Sequence, residues 1–441
     1  MNSDIPKQAR GRSLSTPIVG LWSRLLVHRS LVVNAASMLS STAISAGLGF
    51  VFWWVAAQTF SKAQVGLASA LIAAMALLGN IGMMGLGTLL LGKLARAQKR
   101  SALVLTGLTL VVAVSAILGI GFAVLAPIFS NEFALLRVGE NMGATVLFVI
   151  GVVLTATSLV LDQAVIGLLR GSLQLWRNIV FATTKLVVLI ALGLWAAQRN
   201  EISIYAAWAL GNALSLLGML LLAHRGGLRL RLNQVRLDWD LLRDLPREAM
   251  RHHMLNMALQ STGLAFPVLV ALLLSAEATG SFAIASLLAG FVSTIPFTLA
   301  MALYAVGATS KEAFGPKLRL SLRLSLVLGV LANMFIWLLA DMLMGIFGRG
   351  YGAESAWVLR LLSLGVFPII VKDHYIAIRR VSNRISVTIM MAAIGGLLEL
   401  GGIVIGAQMG GLYGLCIGWL CGFILEALFM GGEVWRTAWL D

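Results

Sequence analysis

Charge is scarce in this chain. Only 12% of its 441 residues are Asp, Glu, Lys or Arg, about half the share carried by a water-soluble domain. Against that stand 59% hydrophobic residues and a mean hydropathy of +0.93. Apolar stretches long enough to cross a bilayer follow one another almost without a break, and no soluble core buries so many. Lipid is therefore the solvent for most of the chain. In hydrocarbon each backbone amide must find its partner within its own segment or in a closed barrel. The alternating pattern of a membrane barrel is missing, which leaves helices.

Other absences narrow the function. The two cysteines, Cys416 and Cys421, fall inside the last apolar stretch and support neither a disulfide framework nor a zinc site. No GxxxxGK[ST] sequence occurs, so no P-loop binds ATP and an ion gradient or the membrane potential is the expected energy source. The first thirty residues lack the apolar core and cleavage site of a removable signal. A net charge of +15 has no soluble basic module to carry it, which excludes nucleic acid as a partner and points to anionic headgroups of the bilayer.

Twelve spans are predicted, at 31–57, 65–92, 101–126, 143–165, 178–196, 203–223, 252–275, 281–307, 320–343, 355–376, 386–408 and 412–432. Basic residues orient them. Alternate connections hold clusters such as Lys93, Arg96, Lys99 and Arg100, or Arg379, Arg380 and Arg384, whereas the opposite set holds only Lys62, Arg137, Arg199 and Arg349. The positive-inside bias then puts both termini on the cytoplasmic side. The longest external connection, near Pro127–Asn141, is under about twenty residues, too short for the catalytic groups of an external transferase or polymerase. The chain is therefore read as no enzyme, with no catalytic residue, cofactor or metal.

The expected organisation is a cytoplasmic segment 1–30, a six-helix bundle 31–223, a cytoplasmic linker 224–250, a second bundle 251–432 and a tail 433–441. The linker's Asp238–Arg243 stretch, with Trp239, reads as a short interfacial helix. The halves echo each other. Ser61–Ala70 opens the second span and Ser275–Ala283 the eighth, with Gly66 and Gly280 in register (280 − 66 = 214). Asp162 with Arg170 parallels Asp373 with Arg380. Six spans per half make the repeats parallel, and such repeats build transporters around a cleft between the halves. The predicted fold is thus all-α integral membrane, about twelve helices in two parallel halves around a central cavity.

Asn34, Phe60–Gly66, the Gly79–Gly87 run, Leu161–Gly171, Trp176-Arg177-Asn178 and Lys185-Leu186 resemble the polysaccharide-transporter (Wzx-type) branch of the MOP exporter superfamily. The resemblance covers nearly the whole chain in layout. It implies a flippase that moves a polyprenyl-pyrophosphate-linked oligosaccharide from the inner to the outer face of a bacterial plasma membrane. Glycan polymerase or other assembly proteins would be its partners. MATE-type exporters of drugs or small molecules share the architecture and form the alternative.

Such a cargo needs cations for its pyrophosphate. Candidates are Arg170, Arg177 and Lys185, then Arg29, Asn34, Arg251, His252 and Arg380, each with headgroup contact as the competing role. Lys185 is placed about seven residues into its span, roughly 10 Å deep. Glu399, about thirteen residues into its span and roughly 20 Å deep, is the candidate for ion coupling, with Asp162 either a second coupling group or the partner of a nearby base. Glu426 and Asp341 lie nearer span ends and are expected to be solvated. Gly402, Gly406 and Gly410 form a repeated GxxxG pattern, predicting a close helix contact. Pro267, Pro296 and Pro368 are expected to kink their spans.

Overall fold

The computed structural model describes residues 46–94, 97, 99–195, 200–225, 247–309, 314–348, 350–382 and 384–440. Every regular element among them is helical. In chain order these are α1 (46–59), α2 (Lys62–Gly82), α3 (Leu86–Lys93), α4 (Arg100–Phe129), a 3-10 turn (Asn131–Leu136), α5 (Met142–Gly167), α6 (Gly171–Trp195) and α7 (Glu201–Arg225). The second half continues with α8 (Arg247–Leu273), α9 (Ala276–Thr309), α10 (Phe314–Gly345), α11 (Ala353–Ser363), α12 (Val366–Val381) and α13 (Ile385–Trp439). Ten stretches among the described residues are long and apolar enough to cross a membrane. The chain is a multi-pass membrane protein. The helix α1 is the described part of the first expected span, and the interfacial helix expected at Asp238–Arg243 lies outside the described residues.

Local sequence explains where helices start and break. Ser61 caps α2 in a reciprocal capping box with Gln64, satisfying two end amides at once. Between α2 and α3 the chain turns at Met83–Gly85, where Gly85 takes a left-handed φ of 76° without a Cβ penalty. The break between α11 and α12 falls at Leu364–Gly365, three residues before Pro368, whose ring leaves the Leu364 carbonyl without its helical donor. The 55-residue α13 leaves helical geometry at Gly410 and Gly411 and folds into a hairpin, so the expected eleventh and twelfth spans are its two arms. The GxxxG expectation finds its partner here. A Cβ on Gly418 would lie 2.0 Å from the Gly402 carbonyl oxygen, and one on Gly414 would lie 2.2 Å from that of Gly406.

The two halves meet through α2, α8 and α9. A Cβ on Gly66 would lie 1.9 Å from the carbonyl oxygen of Ala276, and one on Gly280 would lie 2.3 Å from that of Lys62. The contact is reciprocal with one offset, as a two-fold repeat requires. Around it Trp54 and Gln58 donate to the Ile346 carbonyl at 3.1 and 2.8 Å, and Lys62 sits 3.7 Å from Glu354. One hydrophobic core spans both halves here, including Phe52, Phe148, Phe266, Phe282 and Phe347. Toward the other end the cores separate, one around Leu86, Val160 and Met219, the other around Leu303, Tyr375 and Met430. The bundle is joined through a shared core at the Gly66 end, while toward the opposite end the halves keep separate cores and α8 still touches α3.

Candidate functional site

Among the described residues, buried charged side chains are rare, and each half holds a few of them. In the first half, the turn at Leu168–Arg170, with Leu169 at a left-handed φ of 55°, brings α6 back along α5. Arg177 of α6 then donates to both oxygens of Asp162 on α5, at 2.7 and 2.6 Å, with both residues buried. The fork matches the carboxylate in plane and neutralises it. Arg177 is thus committed to Asp162 rather than free at the turn. That pairing also explains why α6 starts at Gly171 and not at 178: a neutralised Arg177 fits inside the helix.

The earlier start places Lys185 fourteen residues from Gly171 instead of seven. It is 3% exposed, and no carboxylate among the described residues forms an ion pair with it. Its ammonium faces rings: Trp208 at 3.7 Å, Phe181 at 4.7 Å and Phe52 at 4.9 Å to the centroids. A desolvated cation held on aromatic faces gains about 2 kcal/mol, which offsets only part of the cost of burying it. Gly211 makes the arrangement possible, since a Cβ there would lie 2.9 Å from that of Lys185 and push α7, with Trp208, away from α6.

The second half carries the opposite balance. Lys372 of α12 donates to Glu399 at 3.1 Å and to Glu426 at 2.8 Å, both on α13. Trp419 donates to the second oxygen of Glu399 at 2.9 Å. Its ring lies against Gly365, where a Cβ would come within 2.5 Å, so the α11–α12 break seats the donor. Glu426 is 2% exposed, contrary to the expected solvation. Its helix runs on to Trp439, thirteen residues further, so the carboxyl is deep. Asp341 does match expectation: its carboxyl is largely exposed and accepts from Arg360 at 2.6 Å. Two carboxylates around one ammonium leave one uncompensated negative charge, which inside a bundle costs several kcal/mol.

A cavity of about 550 Å³ adjoins this cluster, lined entirely by second-half residues. Lys372, Asp373, Arg380 and Glu399 supply its charge, and Phe266, Phe297, Tyr304, Trp419 and Phe423 much of its apolar wall. Of the residues expected from sequence to form a site, Arg380 and Glu399 reach this cavity, while Asp162 and Arg177 pair in the first half and Lys185 lies about two turns further along α6 on its own aromatic rings. Arg170 is half-buried in the turn after α5. Arg251 is exposed and His252 half-buried near the start of α8, where the neighbouring His253 is buried and its Nδ1 finds no partner. Arg29 and Asn34 lie outside the described residues. Sequence reading missed Lys372 altogether. The signal was present, since Lys372-Asp373-His374 interrupts an apolar span, but a span ending at 376 hid its depth.

No protein-family model matches the chain, and comparison with curated proteins finds no match. Solved structures do match. Over 92% of this chain and 90% of the other, the lipid II flippase MurJ in an inward closed conformation superposes with a TM-score of 0.68 at 13% identity. An inward-facing multidrug resistance MATE family transporter of the MOP superfamily gives 0.65 at 15% identity, over 89% and 94% of the two chains. Its outward-facing counterpart gives 0.58 at 13% identity, over 92% and 96%. The chain shares its fold with these solved transporter and flippase structures.

Proposed function

We propose that this protein is a transporter working by alternating access, and that its cargo is a polyprenyl-pyrophosphate-linked oligosaccharide carried from the cytoplasmic to the outer face of a bacterial plasma membrane. The observation that supports this cargo is Lys185: a cation buried at mid-span, held on aromatic rings and given no carboxylate among the described residues. Left alone, such a charge is costly. An anionic headgroup arriving between the halves would compensate it, while the isoprenoid tail stays in lipid. Arg170, Arg251, His252 and Arg380, with Arg29 and Asn34, complete the proposed cationic path. Arg177 serves that path by neutralising Asp162. The positive-inside bias assigns the joined end to the outer face and both termini to the cytoplasm. Glycan-assembly proteins are the proposed partners, and an ion gradient acting at Glu399 the proposed energy source.

The second reading, a cation-coupled exporter of small organic molecules, has its own support in the second-half cavity, which is aromatic and acidic by one charge when Glu426 is counted. Reconstituted vesicles separate the two. With a fluorescent polyprenyl-pyrophosphate oligosaccharide on one leaflet, the flippase reading expects protein-dependent transfer to the other and no uptake of an organic cation such as ethidium. Cation uptake without lipid transfer would establish the exporter instead.

A further inference from the structure

We propose that the Lys372–Glu399–Glu426 cluster binds one proton, shared between the two glutamates, and is the site whose charge changes once per transport cycle. The argument is geometric. Glu399 and Glu426 are both held on one ammonium, that of Lys372, at 3.1 and 2.8 Å. Two ionised carboxylates on one ammonium repel each other and leave one charge uncompensated, and a single proton removes both costs. Both oxygens of Glu399 already have donors, in Lys372 and Trp419. Glu426 has one oxygen on Lys372, and its Oε1 is buried without a partner among the described residues. That oxygen lies against bare backbone, 2.2 Å from where a Cβ on Gly395 would stand.

The other groups facing the cluster do not supply the missing positive charge. Asp373 adds a further acid from α12, and Arg380 on the same helix is directed to the Tyr304 ring, 5.9 Å away. The cavity-lining residues of α8 and α9 bear no charged side chain. The cluster therefore holds two acids and one base. A proton from solvent reaching the cavity forms an O–H bond on one of the two carboxyls: Glu399, which lines the cavity, or Glu426, whose Oε1 has no other partner among the described residues. The cluster's charge goes from −1 to 0, and the same proton leaves when the cluster faces the other side. The timing rests on the transport reading above; the bound proton does not, and neither does its test.

Infrared spectroscopy of the full chain in lipid at neutral pH reads protonated carboxyls directly through their C=O stretch. Relative to the native band, which cancels Asp373 and other carboxyls, Glu426→Gln and Glu399→Gln should each lose one carboxyl's intensity, because one acid then matches one base. Lys372→Met should gain one, because two acids then have no base. Unfolding exposes and ionises carboxyls, so it cannot imitate the gain. A band that does not change in the glutamine variants, or no gain in Lys372→Met, overturns the proposal.

Discussion

Lys185 and Glu399 hold corresponding places in the two halves and carry opposite charge. They are separated by the same 214 positions that relate Gly66 to Gly280. Each lies in the fifth span of its half beside a tryptophan of the sixth, Trp208 over Lys185 and Trp419 bonded to Glu399. The repeat thus keeps the architecture while dividing the chemistry: a cation with no carboxylate among the described residues on one side, an excess of carboxylate on the other.

The Asp162–Arg177 pair makes a stability prediction. Replacing either partner alone leaves a buried charge without compensation, at a cost of about 3–5 kcal/mol. Arg177→Met and Asp162→Leu should therefore each lower the thermal midpoint of the purified protein sharply. The double replacement should recover most of the loss, because an apolar pair needs no compensation. Additive losses in the double variant would mean that the pair is not the source of the effect.

The joined end makes a conformational one. With native Cys416 and Cys421 replaced by alanine, cysteines at Lys62 and Ala276 should cross-link readily, since the Gly66–Gly280 contact brings these backbones together. Gly280→Leu should suppress that cross-link and favour the form open at this end, and transport should fall with it. Undiminished cross-linking in the leucine variant would show that close approach of α2 and α9 is not needed for closure.

Trp419 allows a finer test of the acidic centre. Trp419→Phe keeps the ring against Gly365 but removes the N–H bonded to Glu399. A hydrogen bond to a charged group contributes roughly 1.5–3 kcal/mol. The variant should lose about that much stability, and Glu399→Gln in the same background should lose less than it does alone. Equal losses in both backgrounds would separate Trp419 from Glu399.

Much of this was legible in the sequence, and the misses have physical causes. Apolar run length and loop charge gave the helices, because in lipid those two quantities decide what spans and which way. The reach of Glu399 was legible because it sits far from either end of its apolar run. Sequence reading puts Arg177 just outside its span and Glu426 too near a span's end, and it passes over Lys372. A hydropathy reading assigns charge to the edges of spans, yet a paired charge belongs to the interior. Arg177 meets Asp162 across a turn, and Lys372 meets glutamates 27 and 54 positions away. Those partners are set by tertiary packing, as where Gly365 admits Trp419 and Gly395 admits Glu426, and no local pattern announces them. The echo between Ser61–Ala70 and Ser275–Ala283, faint as text, proved to be the contact that holds the halves together.

The account stands most directly on the charge of Lys185. In vesicles carrying a polyprenyl-pyrophosphate oligosaccharide, Lys185→Met should cut transfer about tenfold or more, the equivalent of losing one charge-assisted contact of roughly 1.5–3 kcal/mol, while Lys185→Arg retains a substantial part. A Lys185→Met protein that folds normally and transfers the lipid at the native rate would contradict it.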